Sequence, residues 1–282
     1  MATLTLTQSY HYCERYAQNH HEFFPIASKL LPKKLRRPIS VIYTFARTAD
    51  DIADEGNASQ SERLQQLDAL WHSLETLEHP SEPLFIALKD TSQRHRLPLS
   101  CFYNLLTAFK QDVVKHDYEH TQAVYEYARY SANPVGRLLL HLTEYDSDEN
   151  LLYSDALCTA FQLINFYRDI HSDLQNRQRC YLPLDQLSAF ELTLEDLRAQ
   201  QHPEQLNRLV SKLLEEAQDL IDQGKPLTQQ LKGVFGFEIQ LIVAHNQYML
   251  DKLRKRKNPY HSIKITAWEW LLLFLKTLFR QK

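Results

Sequence analysis

The chain has 282 residues, and with 44% hydrophobic and 24% charged residues it can form a globular core of ordinary size. It contains only five glycines and lacks both the G-x-G-x-x-G and the G-x-x-x-x-G-K motif, which argues against a β-sandwich, a Rossmann fold and a glycine-rich phosphate loop. Its net charge of −3 gives no general attraction for nucleic acid, so we expect no nucleic-acid partner.

The hydrophobic pattern predicts helix almost throughout the chain. Pro38 suits the first turn of an early helix, in which Val41, Phe45 and Ile52 form an apolar stripe. In chain order, the predicted helices cover residues 39–53, a segment that begins at Ser61, and residues 84–95, 100–114, 118–142, 155–174, 203–224, 237–256 and 266–279, with a loop and a short helix over 187–197. Because no repeat or clear linker interrupts this pattern, residues 1–282 are predicted to form a single all-α domain of about ten helices.

The cysteines and the N-terminus favour the cytoplasm. The chain has no C-x-x-C pair, so its scattered cysteines are expected to be free thiols in a reducing compartment. Residues 1–10 lack the apolar region of a signal peptide, and no run of 18 apolar residues could form a transmembrane helix. The four cysteines are Cys13, Cys101, Cys158 and Cys180.

An acidic ladder lies near the end of the first long predicted helix. Asp50 and Asp54 are four residues apart, so they share a helix face, and Arg47 lies on the same face. The arginine can form an internal ion pair or bind phosphate oxygens. Asp51 and Glu55 form a second pair, rotated by about 100°, for which a solvated surface is an equal alternative.

A second ladder lies in a more apolar helix. Asn165, Asp169 and Asp173 recur every four residues, with Gln162 one turn earlier and Arg168 beside them. Three oxygen-bearing side chains on one stripe of an apolar helix are costly to bury without partners. A metal ion, or an arginine from another helix, would offset that cost.

Together the two ladders favour a hard divalent cation. Mg²⁺ and Ca²⁺ take carboxylate oxygens, and Mg²⁺ is commonly held by a few carboxylates together with substrate phosphates. Cations shared by the ladders would stabilise diphosphate as a leaving group, while the apolar bundle would surround a hydrocarbon and exclude water from a carbocation. We therefore predict an enzyme that acts on a diphosphate.

Other candidate sites are weaker. His116 and His120 have the i,i+4 spacing of a zinc site, but their polar surroundings predict a surface position, and the His20-His21 pair taken alone is predicted to be structural. The Glu-x-x-His motif of di-iron helical bundles does not occur.

The C-terminal segment combines a basic run with an apolar helix. Basic residues cluster over 252–257, and Trp268, Trp270 and several leucines follow. The apolar stretch is too short to span a bilayer. It can lie in a membrane interface or pack on the domain core, and the sequence favours neither alternative.

The two ladders resemble the paired aspartate-rich motifs of the squalene and phytoene synthases, which are all-α enzymes of the isoprenoid synthase fold, a helical bundle around a central cavity. The resemblance covers essentially the whole chain. It rests on the motifs Arg47-x-x-Asp50-x-x-x-Asp54 and Gln162-x-x-Asn165-x-x-Arg168-Asp169-x-x-x-Asp173.

Further motifs are similar to those of one subgroup, the bacterial hydroxysqualene synthases of hopanoid biosynthesis. The most discriminating is Ser131-Ala132-Asn133-Pro134-Val135-Gly136-Arg137-Leu138, where the wider family usually has a Val-Ala-Gly type of sequence. The others are Phe24-Pro25-Ile26-Ala27-Ser28 with Leu30-Leu31-Pro32, the stretch from Tyr43 to Gly56, and Arg179-x-Tyr181-Leu182-Pro183. The sequence departs from the family at Phe23-Phe24-Pro25 and at Ile170-His171-Ser172, so the equivalence of His20 and the role of His171 stay open.

This resemblance implies a set of roles. Asp50, Asp54, Asn165, Asp169 and Asp173 would ligate a cluster of two or three Mg²⁺ ions. Diphosphate would be bound by Arg47, Arg168 and Gln162, with His20 as a further candidate, and Tyr127 matches a family tyrosine near the reacting diphosphate. The substrate would be presqualene diphosphate, which would lose diphosphate, rearrange and capture water to give hydroxysqualene, and NADPH is not expected.

Alternatives remain at this stage. The chain could instead condense two farnesyl diphosphates head to head into presqualene diphosphate, squalene, dehydrosqualene or phytoene, or it could be a catalytically silent helical partner protein. Contact with the inner face of the cytoplasmic membrane through the C-terminal segment, and contact with other enzymes of the pathway, are further expectations.

Overall fold

In a computed structural model, residues 5–19 and 33–279 are described, and they are almost entirely helical. No strand occurs within these ranges, where an isolated parallel bridge joins Tyr118 and Pro183. The helices are α1 (Leu6–Asn19), α2 (Lys33–Asp54), α3 (Gln60–Glu75), α4 (Pro83–His95), α5 (Leu99–Val114), α6 (Thr121–Ser131), α7 (Asn133–Leu142), α8 (Asp148–Arg168), α9 (Leu184–Ala189), α10 (Leu194–Arg198), α11 (Pro203–Gly224), α12 (Leu227–Gln230), α13 (Gly233–Arg254) and α14 (Ala267–Phe279). The prediction of an all-α protein is confirmed.

The contacts within the chain divide it into two compact units. The first unit comprises residues 1–114 and 134–147, and the second comprises residues 115–133 and 148–282. The single domain over residues 1–282 stays a prediction.

In the first unit, α2 is the central helix. It packs against α1, α3, α4 and α5, which explains why Val41 and Phe45 of its apolar stripe are fully buried, while Ile52 is half-buried. Phe45 of α2 makes edge-on contacts with Phe85 and Phe102, at ring distances of 6.3 and 5.0 Å. The acidic residues of the first ladder lie at the C-terminal end of this central helix.

In the second unit, α8 is the central helix. It packs against α6, α11, α12 and α13. Gly224, at the end of α11, allows the closest of these approaches, because a β-carbon there would lie 2.6 Å from the carbonyl oxygen of Tyr153 and 2.5 Å from Leu157. The second ladder begins in the last turns of α8.

Two predicted helix boundaries are wrong near prolines. The helix predicted over 39–53 begins at Lys33, so Pro38 lies inside it, in the second turn. The helix predicted over 118–142 is two helices with a break at Ala132, because Pro134, in the first turn of the second helix, cannot donate a backbone hydrogen bond to the preceding turn. The Thr159 hydroxyl donates to Asn133 Oδ1 (3.0 Å) beside this break.

The helix predicted over 155–174 also differs. It begins at Asp148 and ends at Arg168, and a three-residue helical turn and a π-helical turn over Asp173–Arg177 follow. The region 187–197 contains two short helices, and the helix predicted over 237–256 begins earlier, at Gly233. The other predicted helices agree with the structure to within about one residue, which is the usual uncertainty of a helix end.

Candidate active site

Arg47 organises the first ladder through ion pairs. Its guanidinium nitrogens lie 3.1 Å from Asp50 Oδ2 and 2.6 Å from Asp51 Oδ1, and Glu55 Oε1 is 3.8 Å away. Burial lowers the pKa of Arg47, but the charges of Asp50 and Asp51 outweigh burial and raise it. Asp51 is therefore paired with the arginine and partly buried, whereas Glu55 is mainly exposed to solvent.

Tyr16 of α1 holds the same aspartate from the opposite side. Its hydroxyl donates to Asp51 Oδ2 (2.8 Å). Burial, together with this hydrogen bond, raises the pKa of Tyr16 to about 12. Asp51 is thereby fixed between a tyrosine and an arginine, whereas Asp54 stands half-buried at the end of α2.

An arginine that the sequence analysis missed caps the helix of the first ladder. Arg63 of α3 donates to the carbonyl oxygens of Ile52 (2.7 Å), Gly56 (2.9 Å) and Ala58 (3.1 Å). The C-terminus of a helix carries partial negative charge, so acidic residues there are unfavourable unless cations lie nearby. No sequence pattern pointed to this contact, because it depends on the turn between α2 and α3.

The second ladder keeps its helical register although α8 ends within it. The backbone amide of Asp169 donates to the carbonyl of Asn165 (3.0 Å), and that of Asp173 donates to the carbonyl of Asp169 (2.9 Å). Arg168 donates two hydrogen bonds to Asp169, from Nε to Oδ1 at 2.8 Å and from Nη2 to Oδ2. This bidentate pair raises the pKa of Arg168.

Asp173 is the most buried acid of the two ladders. Its side chain is 9% exposed, and Arg177 Nη1 lies 3.3 Å from its Oδ1. Burial raises the pKa of Asp173 to about 7, and neighbouring arginines only partly oppose this effect. A carboxylate so placed is stabilised by any further cation that binds next to it.

A second arginine caps the helix of the second ladder. Arg256 donates to the carbonyl oxygens of Tyr167 (2.9 Å) and Arg168 (3.4 Å), and burial lowers its pKa to about 10. The basic run over 252–257 is therefore not wholly available to a membrane, since Arg256 is turned inward and Lys252 pairs with Glu269 (2.9 Å). The sequence favoured neither the membrane nor the core for this segment, because the contact of Arg256 with α8 joins residues that are distant in sequence.

Tyr127 lies within an aromatic cluster of the second unit. Its ring centre is 5.6 Å from those of Tyr118 and Tyr181 and 6.0 Å from that of Phe166, and Tyr127 itself is 4% exposed. Phe166 and Tyr181 stack at 3.8 Å. Since Phe166 adjoins Asn165, the cluster packs against the turn of α8 in which the second ladder begins.

The other histidines have local roles. His120 accepts a hydrogen bond from the amide of Ala123 at the start of α6 (3.1 Å), and both it and His116 are exposed. His171 Nε2 lies 3.5 Å from the amide nitrogen of Gln200. His20 and the motifs over residues 20–32 lie outside the described residues.

The ligand set predicted for the metal is uniform in its chemistry. It consists of four carboxylates and an amide, all oxygen donors, which suits Mg²⁺. Within the described part of the chain, no group of three or more His, Cys, Asp or Glu side chains is already arranged to hold a metal ion. In each unit an arginine instead neutralises part of the ladder. The residues fit a cation by charge and donor type, because all are oxygen donors and the carboxylates carry negative charge. The set is Asp50, Asp54, Asn165, Asp169 and Asp173.

The C-terminal helix α14 has two different faces. One face packs on α13, where Trp270 stacks on His245 (4.6 Å) and Phe274 contacts Phe237 edge-on (5.4 Å). The opposite face presents large apolar side chains to solvent, namely Trp268, Leu271, Leu272, Leu275, Leu278 and Phe279. In the described residues, every helix is too short or too polar to cross a membrane.

Comparison with known proteins bears on this arrangement of acidic residues and arginines. The family model for squalene/phytoene synthase matches residues 17–269. The chain belongs to the squalene/phytoene synthase family. Hydroxysqualene synthase from Sinorhizobium fredii is 32% identical over 91% of this chain and 87% of the relative, and the enzyme of the same name from Rhodopseudomonas palustris is 34% identical over 83% and 80%.

A solved structure agrees. The crystal structure of squalene synthase HpnC from Alicyclobacillus acidocaldarius has a TM-score of 0.84 and 32% identity, and it covers 92% of this chain and 97% of its own. The protein therefore has the isoprenoid synthase fold that was expected and is an enzyme of this family. The family acts on prenyl diphosphates and typically depends on a divalent metal.

Proposed function

We propose that this enzyme ionises presqualene diphosphate with the help of Mg²⁺ and releases hydroxysqualene and diphosphate. The observation that carries the proposal is the repeated arrangement of an acidic ladder with an arginine at the end of the central helix of each unit. The names of the relatives that are 32% and 34% identical support the choice of product.

The residues divide the work by charge. Asp50, Asp54, Asn165, Asp169 and Asp173 would ligate Mg²⁺, in a cluster of two or three ions. A divalent cation bound there supplies Lewis-acid stabilisation of the diphosphate leaving group. Arg47 and Arg168 lie beside these ligands and would exchange a carboxylate partner for phosphate oxygens, with Gln162 and His20 as further contacts.

Two roles in the proposal concern the hydrocarbon. Tyr127, held in its aromatic cluster, would present its ring or hydroxyl near the reacting diphosphate. Water, rather than hydride from NADPH, would capture the rearranged cation.

The protein would act in the cytoplasm and would receive its apolar substrate from another enzyme that forms presqualene diphosphate.

The alternative is a synthase that starts from two farnesyl diphosphates, and it keeps a specific support, because the solved relative with 32% identity is called a squalene synthase. The test is to incubate the purified protein and Mg²⁺ with each diphosphate separately, without NADPH, and to identify the products by mass spectrometry. We expect presqualene diphosphate to yield hydroxysqualene. Consumption of farnesyl diphosphate alone would favour the alternative.

We also propose that the exposed face of α14 binds the surface of an anionic membrane. The exposed apolar side chains of α14 fall within an arc of about 120° at 100° per residue, opposite the face that packs on α13. Trp268 and Phe279, near the two ends, are each 66% exposed. Lys276 borders this arc and Arg254 and Lys255 are exposed nearby in sequence, which suits anionic lipid headgroups.

The membrane proposal is tested with vesicles that contain one zwitterionic and one anionic phospholipid. A Trp268→Glu/Leu275→Glu variant should sediment with them about tenfold less than the wild type, because two anchors become charged. Leu152→Glu, which alters a 67% exposed leucine on α8, is the matched control and should bind normally. Equal sedimentation of all three proteins would exclude the interfacial role.

A further inference from the structure

Helix α13 carries a buried acid that none of the contacts above uses. Glu238 is 5% exposed, and its Oε1 atom has no hydrogen-bond partner among the described residues. The side chains one turn away on either side are all apolar, namely Val234, Phe235, Leu241 and Ile242. Burying a carboxyl group without a partner is costly, so a bound molecule is the expected partner.

The position of α13 relates this acid to the second ladder. His245 lies two turns after Glu238 on the same face, and its pKa is lowered to about 4 by burial and by the charge of Arg168. Arg256, just beyond α13, reaches the last carbonyls of α8. Glu238 is therefore about 10 Å along α13 from the level of His245, on the side away from Arg256 and the end of α8.

We propose that Glu238 binds the water molecule that adds to the carbocation, and accepts the proton that this water loses. The inference rests on the proposed function. In this step the water oxygen forms a C–O bond with the cationic carbon, one O–H bond of the water breaks, and the proton moves to the Glu238 carboxylate. The product is the neutral alcohol, and no oxidant or reductant takes part.

The surroundings of Glu238 suit this role. Burial raises its pKa to about 8, and no charged side chain contributes to that shift. The carboxylate is therefore a stronger base than an exposed one, with a pKa close to the pH at which it would work. In an apolar pocket without a held water, a carbocation has elimination as its alternative, so one carboxyl group could decide between alcohol and alkene.

The experiment follows Glu238→Leu and Glu238→Gln with presqualene diphosphate and Mg²⁺ in ¹⁸O-labelled water, without NADPH. Diphosphate release should stay within a few-fold of the wild type in both variants, because capture follows ionisation. The labelled alcohol should fall at least about a hundredfold in Glu238→Leu, the usual size of a general-base effect, while alkenes increase. Glu238→Gln, which can hold water but cannot take its proton, should lie between.

A matched control uses the buried Asn246 of the same helix, whose amide is satisfied by the carbonyl of Ile242 (3.0 Å). Asn246→Leu should keep the product ratio of the wild type. An unchanged ratio in both Glu238 variants would overturn the inference, and so would a parallel loss of diphosphate release and alcohol. If the wild-type enzyme itself forms no labelled alcohol, the proposed function fails instead.

Discussion

Buried carboxyl groups of the second unit differ in what surrounds them. Asp173 has Arg177 at 3.3 Å and further arginines nearby, whereas the residues three and four positions from Glu238 on α13 are all apolar. In both cases burial disfavours the charged form and raises the pKa. A cation is the natural partner of the first group, and a neutral polar molecule is the natural partner of the second.

The stability of the protein should depend on pH through Glu238. Its carboxyl ionises near 4.5 when unfolded but near 8 when folded, so between these values the folded state binds more protons. The unfolding free energy of the wild type should therefore fall as pH rises from about 4.5 to 8. Glu238→Leu removes this loss, so urea unfolding should show the variant gaining on the wild type across that range. A pH-independent difference would contradict the shift.

At the residue scale, the sequence could identify the ladders and the arginines beside them, Arg47 and Arg168, but not their partners from other helices. The four-residue spacing of Asp50 and Asp54, and of Asn165, Asp169 and Asp173, was sufficient to predict shared faces. The contact of Tyr16 with Asp51 and the isolation of Glu238 depend on packing between helices that are distant in sequence. The apolar residues one turn before and after Glu238 are the one local sign of its burial, and the sequence analysis did not use it.

At the scale of elements, both ladders lie at the C-terminal end of a helix that an arginine caps. Helix α2 ends at Asp54, and Asp169 directly follows the end of α8. Arg63 closes α2, and Arg256 closes α8. Because the helix dipole disfavours negative charge at a C-terminus, these caps stabilise carboxylates that are repelled by one another and by the helix end. Each capping arginine lies in a segment that follows the capped helix in sequence, which is why helix periodicity alone did not predict the caps.

Removing one cap should affect both stability and turnover. Arg256→Leu should cost about 2 kcal/mol of unfolding free energy, since it leaves buried carbonyls without a charged donor. Diphosphate release should fall by at least about tenfold, because a displaced ladder no longer positions the leaving group. Arg254→Leu, at an exposed neighbouring site, is the control. Denaturant titration gives the unfolding free energy of each variant. An unfolding free energy and a rate of diphosphate release equal to those of this control would show that the cap is dispensable.

The packing of α11 on α8 provides a second test at this scale. Gly224→Ala would place a β-carbon 2.6 Å from the carbonyl oxygen of Tyr153, so the helices must separate. We expect a loss of about 1–3 kcal/mol, as for other overpacked cores. Gln223→Ala, at the exposed preceding position, should be close to neutral. Thermal unfolding of both variants gives the comparison, and equal midpoints would refute the close approach.

Helix existence was easier to predict from the sequence than helix ends. The amphipathic segment Pro203–Gly224 was predicted with its observed bounds, because apolar spacing, a starting proline and a final glycine all agree. The segment over 118–142 was predicted as one helix, because its apolar pattern continues across Asn133-Pro134. There the geometry of a proline outweighed the hydrophobic period.

At the scale of the whole molecule, membership of the squalene/phytoene synthase family agrees with the all-α fold and with the two acidic ladders. Fold class and family followed from the sequence, since both depend on helical period and on two strong motifs. The reaction outcome does not follow in the same way, because water and hydride capture differ in the lining of an apolar pocket and share the same ladders.

The most direct test of the account measures diphosphate release from presqualene diphosphate by Asp50→Asn and Asp169→Asn, one variant for each ladder. Asp222→Asn, at an exposed position on α11, serves as the control. Each ladder variant should release diphosphate at least about a hundredfold more slowly than the wild type, equivalent to about 3 kcal/mol of transition-state stabilisation. Wild-type rates in both ladder variants would contradict the assignment of these aspartates to catalysis.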